Sequence, residues 1–557
     1  MKDLHILADD PLKRSFVLPQ RVVCTTGCVE NAEVLLEERS LQISLAETRM
    51  TTLRNAADGE KAGVLLDFGR ELTGGIRLLC FAVDTPSEQT RYPLVRLRFG
   101  ESASEAMTPL LEKNTGNDHA VRDFVVPVPA LSDQEWGQTG FRFVYIELQQ
   151  PDTVLCLTAA VAAFARREPA WRGSFRCSDE RLNEIFAVSA YTCQLCMQHH
   201  LWDGVKRDRL IWIGDSHPEM LTIRSVFGRQ PVLEESLDEV CRTNPLPKWM
   251  NGMSAYSLWW LRILWDWYMY IGDREYPMRH RAYVQGLVRQ VLADIDENGC
   301  LTWPYFFLDW PTNNTPAAQD GVQALLTLAL EAAENLLTLF GDTEQAAAVR
   351  PVLAKTRRYS GKGHGSKAAA AMLYLAGILP AEEMVACLTA GGAAGMSTFM
   401  SYYLLTALAG AGETETALSM LRTYYGGMLD MGATTFWEDF DLSWMPGAAP
   451  IDRLPAAGEK DIHGDYGNYC YEQFRHSLCH GWSSGPAPFL LETVLGVHFD
   501  TPGGEVIRLR PQLGGLTFAE GSYPLPQGGE LHVRCEQTPQ GVQVQYDAPA
   551  GVRVLTE

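Results

Sequence analysis

From about residue 172 to 495 one helical pattern follows another with no clear strand between them, and this tract limits the architecture more than any other feature. Ser178, followed by Asp179 and Glu180, reads as an N-cap with acids in the first turn, and Leu182, Ile185 and Phe186 then mark one face. Val322, Leu325, Leu326, Ala329, Ala333 and Leu336 keep the same period over several turns. Further helices are expected around 254–272, 278–297, 343–357, 365–377, 396–409 and 413–425, with Gly or Pro in the connections. Helices in such a series, each with an apolar stripe to bury, stack as hairpins. Periodicity alone does not separate a bundle from a closed toroid.

Both flanks read as β structure. On the N-terminal side Val64–Phe68, Ile76–Leu79, Leu94–Phe99 and Phe141–Leu148 are short β-rich runs, and the last two alternate cleanly. Thr73-Gly74-Gly75 and Asp84-Thr85-Pro86-Ser87 read as turns between strands, the spacing of a sandwich. Arg166-Arg167-Glu168-Pro169 looks like a linker. After Gly496, the runs 506–511, 530–534 and 542–546 alternate again, with turns at Gly514-Gly515 and Gly528-Gly529. The expected division is a β-sandwich over 1–168, a helical domain over 169–496 and a small β module over 497–557, consistent with 557 residues being too many for one ordinary core.

Asp plus Glu outnumber Lys plus Arg by 68 to 47, a net charge of −21. So acidic a surface argues against nucleic acid or an anionic membrane as partner and leaves a neutral small molecule as the best fit. The first ten residues lack the apolar core of a signal peptide, and no run of about 18 apolar residues occurs, so a cytoplasmic location is expected. The 13 cysteines are odd in number and scattered, as reduced thiols would be. Cys193-Gln194-Leu195-Cys196 has no second ligand pair at zinc spacing and reads as two buried helix cysteines.

Within this frame three knots of acids and indoles stand out. Trp202 to Asp215 packs Asp203, Asp208 and Asp215 among Lys206, Arg207, Arg209 and Trp212, with a helix start at Ser216 and Pro218. Thr434 to Asp441 holds Trp437, Glu438, Asp439 and Asp441, and Ser477 to Trp482 holds His480. A structural ion-pair network would account for the charges. Paired carboxylates beside indoles are also what glycoside hydrolysis needs, since sugars lay their apolar faces on aromatic rings. Indoles at helical spacing over 259–270 read as core, whereas the loop-like group Trp303, Tyr305 and Trp310 is the better sugar wall.

The order of the knots, the Asp-x4-Asp-x6-Asp spacing with Trp212, the Thr-Thr-x-Trp-Glu and the Ser-Leu-x-His together resemble the inverting α-L-rhamnosidases of glycoside hydrolase family 78. Leu66-Asp67-Phe68-Gly69, Thr73-Gly74-Gly75 and Gly140 to Val144 resemble that family's N-terminal sandwich, and Arg510-Pro511 its C-terminal one. The resemblance implies a mainly α, multidomain protein, an (α/α)6 toroid flanked by N- and C-terminal β-sandwich domains, with no cofactor and no metal. It implies release of a terminal α-L-rhamnosyl residue with inversion, from a small glycoside or oligosaccharide. Asp208 falls at the general acid and Glu438 at the general base; Asp203, Arg207, Trp212, Asp215 and His480 are the implied sugar contacts, and the aromatic groupings themselves add Trp310 and Trp437 as candidate contacts. This chain has Asp208 where the family usually has Glu, and Gly204-Val205 where Cys-Pro is usual. Two other readings stand beside it: a phosphorolytic or lyase enzyme on the same toroid, and a sugar-binding protein without catalysis.

Overall fold

The computed structural model describes residues 8–86, 92–116 and 119–556; the turn expected at 84–87 runs past these bounds at Ser87, and residues 1–7 of the expected leaderless start lie outside them. Nine strands between Lys13 and Arg166 form one antiparallel sheet system. Its central strand is Gly63–Asp84, which pairs with Ser132–Leu148 on one side. On the other side its first residues pair with Arg21–Thr26 and its later ones with Thr153–Arg166. Leu94–Gly100 and Asp123–Pro127 extend the sheet beyond Ser132–Leu148. The first part of the central strand does not alternate: Val64, Leu65 and Leu66 are all buried, the mark of a strand covered on both faces.

Thr73-Gly74-Gly75 is not a turn: Gly63–Asp84 runs straight through it, with register shifts at Asp67/Leu72 and Gly74/Ile76. The glycines serve close approach instead. Gly74 sits at φ +133, where a Cβ would meet the Ala163 carbonyl oxygen at 2.0 Å, and a Cβ on Gly75 would meet that of Trp136 at 2.3 Å.

The helical part follows the expected series, as Glu180–Cys196, Ser216–Thr222, Pro231–Thr243, Ser254–Ile271, Arg281–Ala293, Pro316–Leu339, Thr343–Thr356, Lys367–Leu375, Ser401–Gly410 and Thr414–Asp430. The first helix is capped by Asp179, whose carboxylate accepts from Arg181 N, while the Ser178 hydroxyl accepts from Thr517 N. Trp259, Trp260 and Trp267 fill the core as their spacing implied. Pro316–Leu339 is long and apolar enough to cross a bilayer, but 67% of its apolar window is buried within the protein, as a core helix would be. The chain is only 38% helical, which corrects the expectation of a mainly α protein. Long strands take much of the first third, and the helices are joined by extended loops such as 294–315 and 431–485.

The C-terminal module is built jointly with the helical part. Its four-stranded sheet runs Ser174–Cys177, Phe518–Pro524, Glu530–Thr538, Gly541–Asp547, so its first strand comes from just before the first helix. Ile507, Leu509, Leu531 and Val533 lie in the same continuous core as the helices, whereas the N-terminal sheet has a core of its own. Gly496 is correspondingly buried, with Arg510 N donating to its carbonyl at 2.9 Å. Limited proteolysis is therefore expected to cut within 168–171, where Glu168, Ala170 and Trp171 are exposed, and to leave the chain around Gly496 intact. Mass spectrometry of the fragments checks this, and a primary cut at 496 would contradict it.

Candidate active site

The three knots lie side by side, joined by backbone hydrogen bonds. Glu438 N donates to Ser477 O at 3.0 Å and His480 N to Phe436 O at 3.0 Å, so the second and third knots form a short ladder. Gly204 bridges to His480, and Gly481 N donates to Asp203 O at 2.7 Å, which ties in the first. Segments more than 200 residues apart in sequence thus share one frame.

The first knot is a loop closed on itself. Asp203 N donates to Leu210 O at 3.0 Å, and the Asp203 carboxylate takes Leu210 N at 2.9 Å. At its tip, Arg209 N reaches back to Arg207 O at 2.7 Å, closing a three-residue turn on Asp208, and Asp208 and Arg209 both have positive φ, +54 and +57. Consecutive left-handed residues other than glycine are strained, and here they carry the side chain proposed to act as acid. Asn251 clamps the far limb, accepting from Ile213 N and donating to Ile211 O.

Around this frame is a pocket of about 400 Å³ with a nearly continuous aromatic wall. Neighbouring rings meet in the order Trp212, Tyr256, Phe307, Trp310, Tyr471, Trp482, His480, with centroid separations from 4.3 to 6.2 Å. Edge contacts of this kind hold each ring in place and leave apolar surface facing inward.

The polar groups converge inside that wall. The Arg207 guanidinium bridges two carboxylates, with Nη1 at 3.1 Å from Asp208 and Nη2 paired closely with Glu438. Trp212 Nε1 donates to the other Asp208 oxygen at 3.1 Å, and Ser477 N to the other Glu438 oxygen at 3.2 Å. Glu438 is 5% exposed, Asp208 19%. Burial pushes the Glu438 carboxyl above the ordinary range, with Arg207 pulling it back. Asp203 and Asp215 are raised much further, by burial first and then by neighbouring acids, although Tyr256 OH donates to Asp215 at 2.8 Å. His480 Nε2 lies 3.5 Å from Glu438, 3.8 Å from Asp203 and 4.0 Å from Asp215. Burial lowers its pKa well below the usual value, so the ring is neutral and can both donate to and accept from a hydroxyl.

Beneath the loop is a buried ionic platform from the N-terminal domain. Lys206 Nζ donates to Phe474 O at 2.7 Å and His476 O at 2.6 Å, and lies 3.3 Å from Glu101 and 3.1 Å from Glu105. Glu101 also accepts from Leu478 N at 2.6 Å and from the Ser477 hydroxyl at 3.2 Å. Burial raises the Glu101 carboxyl to about 7, against the pull of Lys206. Among the described residues two groups could each bring three ligand atoms together for a metal, Glu101/Glu105/His463 and Asp203/Asp215/His480. The Lys206 ammonium already serves as the cation for the first. The second faces the pocket, where the same atoms suit sugar hydroxyls.

One buried acid near the site carries a strongly perturbed carboxyl: burial first, and then the neighbouring Asp215 and Asp203, hold Glu219 well above the ordinary value. A carboxyl raised on folding binds its proton more tightly in the native than in the unfolded state. Stability from this source is complete below the ordinary carboxylate pKa and declines as pH rises toward the native value. Glu219→Gln is therefore expected to flatten the fall in Tm between pH 5 and pH 8. Differential scanning calorimetry tests this, and an unchanged slope would contradict it.

Eight of the nine residues expected at the site line this one pocket: Asp203, Arg207, Asp208, Trp212, Asp215, Trp310, Glu438 and His480. Trp437 is not among the residues that line it. Successive side chains of an extended ladder alternate, so with Glu438 turned inward the Trp437 indole packs away from the pocket, edge-on to Phe440 and His476. Of the 303–310 group, Trp303 is fixed by Asp294 at 2.8 Å, and Trp310 reaches the pocket together with Phe307. Met253, Tyr256, Phe307, Cys470, Tyr471 and Trp482 also line it and were not expected there. Trp482 was signalled by its place in the His480 knot; Tyr256 begins a run that otherwise reads as core.

The pocket is carried by a helical part that has β sheets on both sides of it in the sequence. Residues 171–357 match the family model for the bacterial alpha-L-rhamnosidase six-hairpin glycosidase domain. Three solved structures share its fold. A glycoside hydrolase family 78 rhamnosidase of Bacillus sp. GL1 is 24% identical, with TM-score 0.72, over 94% of this chain and 55% of that one. The rhamnosidase of Klebsiella oxytoca, solved with rhamnose bound, is 20% identical, with TM-score 0.65, over 86% of this chain and 96% of that one. The Streptomyces avermitilis alpha-L-rhamnosidase complexed with L-rhamnose is 17% identical, with TM-score 0.66, over 89% of this chain and 48% of that one. This chain thus spans about half the length of the Bacillus and Streptomyces proteins. No curated protein matches it.

Proposed function

We propose that this protein is an inverting α-L-rhamnosidase, a hydrolase releasing a terminal α-L-rhamnosyl residue from a small glycoside or oligosaccharide. In this reading the helices close an (α/α)6 toroid over 169–496, flanked by β-sandwich domains over 1–168 and 497–557, the latter borrowing its first strand from 174–177. A cytoplasmic location belongs to the same proposal.

The observation that carries it is the pair of carboxylates on either side of Arg207, across a pocket walled by aromatic rings. An inverting hydrolase needs an acid and a base separated by enough space for a sugar and a water. Asp208, at the more exposed end, donates a proton to the departing oxygen. Glu438, deeper and held by Arg207 and Ser477 N, takes the proton of the attacking water. Arg207 sits between the two acids and compensates their charge in a largely buried pocket. Asp203, Asp215 and neutral His480 offer donors and acceptors to the ring hydroxyls, and the aromatic wall takes the apolar face and the methyl group. The raised carboxyls of Asp203 and Asp215 let each donate as well as accept, which suits a neutral diol better than a cation.

An activity screen on aryl glycosides, α-L-rhamnoside first, tests this reading. Release of L-rhamnose from that substrate is the expected result. Turnover that requires phosphate, or tight L-rhamnose binding without product on prolonged incubation, would replace it with a phosphorolytic or a binding role.

A further inference from the structure

Beneath the pocket, the segment 474–478 is gripped through its backbone by three side chains. Lys206 donates to Phe474 O and His476 O, Arg207 Nε donates to Arg475 O at 3.0 Å, and the Glu101 carboxylate accepts from Leu478 N at 2.6 Å. The remaining residue, Ser477, gives its N–H to Glu438 and its hydroxyl to Glu101. Lys206 and Arg207 are neighbours on the loop that carries Asp208. Glu101 comes from the N-terminal β domain, none of whose residues lines the pocket.

Glu101 stands at a fixed corner of that domain. It follows directly on the strand Leu94–Gly100 and precedes the helix Ala103–Met107, whose first turn is capped by Ser102, and its own N–H donates to Glu105 at 2.8 Å. The side chains of Lys206, Glu101 and Glu105 are at most 1% exposed, so a partner lost here is not replaced by water. One carboxylate therefore touches the support of both proposed catalytic acids. It holds the base side through Ser477 and Leu478, and the acid side through Lys206.

We propose that Glu101 is a positioning residue for the hydrolysis, fixing Ser477 N against the Glu438 carboxylate; the proposal rests on the rhamnosidase reading above. Glu438 has one oxygen paired with Arg207 and the other with Ser477 N, and these two donors set the plane of the carboxylate. That plane decides which lone pair faces the attacking water. A shift of about 1 Å in a group that positions the chemistry can cost on the order of a hundredfold in rate. Sugar binding does not depend on it, because the groups offered to the ring hydroxyls, Asp203, Asp215 and His480, have no bond to Glu101 among the described residues. The N-terminal domain thereby takes part in catalysis without touching the substrate.

A double-mutant cycle on the full chain tests this, with nitrophenyl α-L-rhamnoside as substrate, because its leaving group needs little acid help and the rate then follows the base. Glu101→Gln keeps the size of the side chain and removes its charge. It is expected to lower kcat roughly tenfold to a hundredfold while KM and inhibition by free L-rhamnose stay within about twofold of wild type. When Glu438 is already glutamine, the same substitution should leave kcat unchanged. Glu101→Asp restores the charge beside Lys206 but draws the carboxylate back by roughly 1 to 1.5 Å. It is expected to recover the wild-type Tm without recovering kcat, and it carries the test by itself should the glutamine variant not fold. Full recovery of kcat in Glu101→Asp, an equal loss in both Glu438 backgrounds, or a loss of rhamnose binding that matches the fall in kcat would overturn the positioning role alone. A wild-type protein that cleaves no rhamnoside would overturn the rhamnosidase reading, and the positioning role with it.

Discussion

Glu438→Gln is expected to lose roughly 10²- to 10⁴-fold in kcat on every rhamnoside, whatever its leaving group, because water must be activated in each case. The glutamine keeps the shape that Arg207 and Ser477 N hold, so the fold is retained and the loss falls on the chemistry. A parallel melting curve separates the two. The same carboxyl sets the acid side of the pH profile. A base works only when ionised, burial holds Glu438 above the ordinary glutamate value, and so kcat/KM should rise with pH through a point above that value. Arg207 opposes burial, and Arg207→Met is expected to move the rise to still higher pH. Selective loss on one substrate class in Glu438→Gln would remove it from the role of base.

Asp208→Ala is expected to divide substrates by leaving group. A sugar alcohol leaves only when protonated, and activity on a disaccharide should fall by roughly 10²- to 10⁴-fold. A nitrophenolate leaves with little help, so most activity on the nitrophenyl glycoside should remain. Asp is one methylene shorter than Glu, a deficit of roughly 1 to 1.5 Å. The left-handed pair at Asp208 and Arg209, with its three-residue turn, bears on that deficit because it fixes where the shorter carboxylate sits. Restoring length by Asp208→Glu on the same backbone should therefore not improve turnover of a disaccharide. Equal losses on both substrates in Asp208→Ala would shift the acid's role, with Asp203 and Asp215, both carrying raised carboxyls, next in line.

The three knots were legible because each concentrates its chemistry within a few residues, and acids interleaved with indoles have few purely structural uses. The backbone bonds that align them, Glu438 to Ser477, His480 to Phe436 and Gly481 to Asp203, link residues far apart in sequence and leave no trace in composition. Tyr256 was hidden for a different reason. It opens the aromatic run of Ser254–Ile271, most of which is core, and only its hydrogen bond to Asp215 sets it apart. Nothing in the sequence sets Glu101 and Glu105 apart, yet both are fully buried beneath the 203–210 loop with Lys206 between them. Trp437 stands beside Glu438 in the sequence, yet its indole lies edge-on to Phe440 and His476. Gly74 and Gly75 read as a turn because a turn and a close crossing of strands ask for the same residue.

The central claim is that Asp208 and Glu438 act from opposite faces of the sugar. Proton NMR of the first turnovers of an aryl α-L-rhamnoside, taken before the released sugar equilibrates, reads this directly. The account predicts β-L-rhamnose as the initial product, and α-L-rhamnose would contradict it.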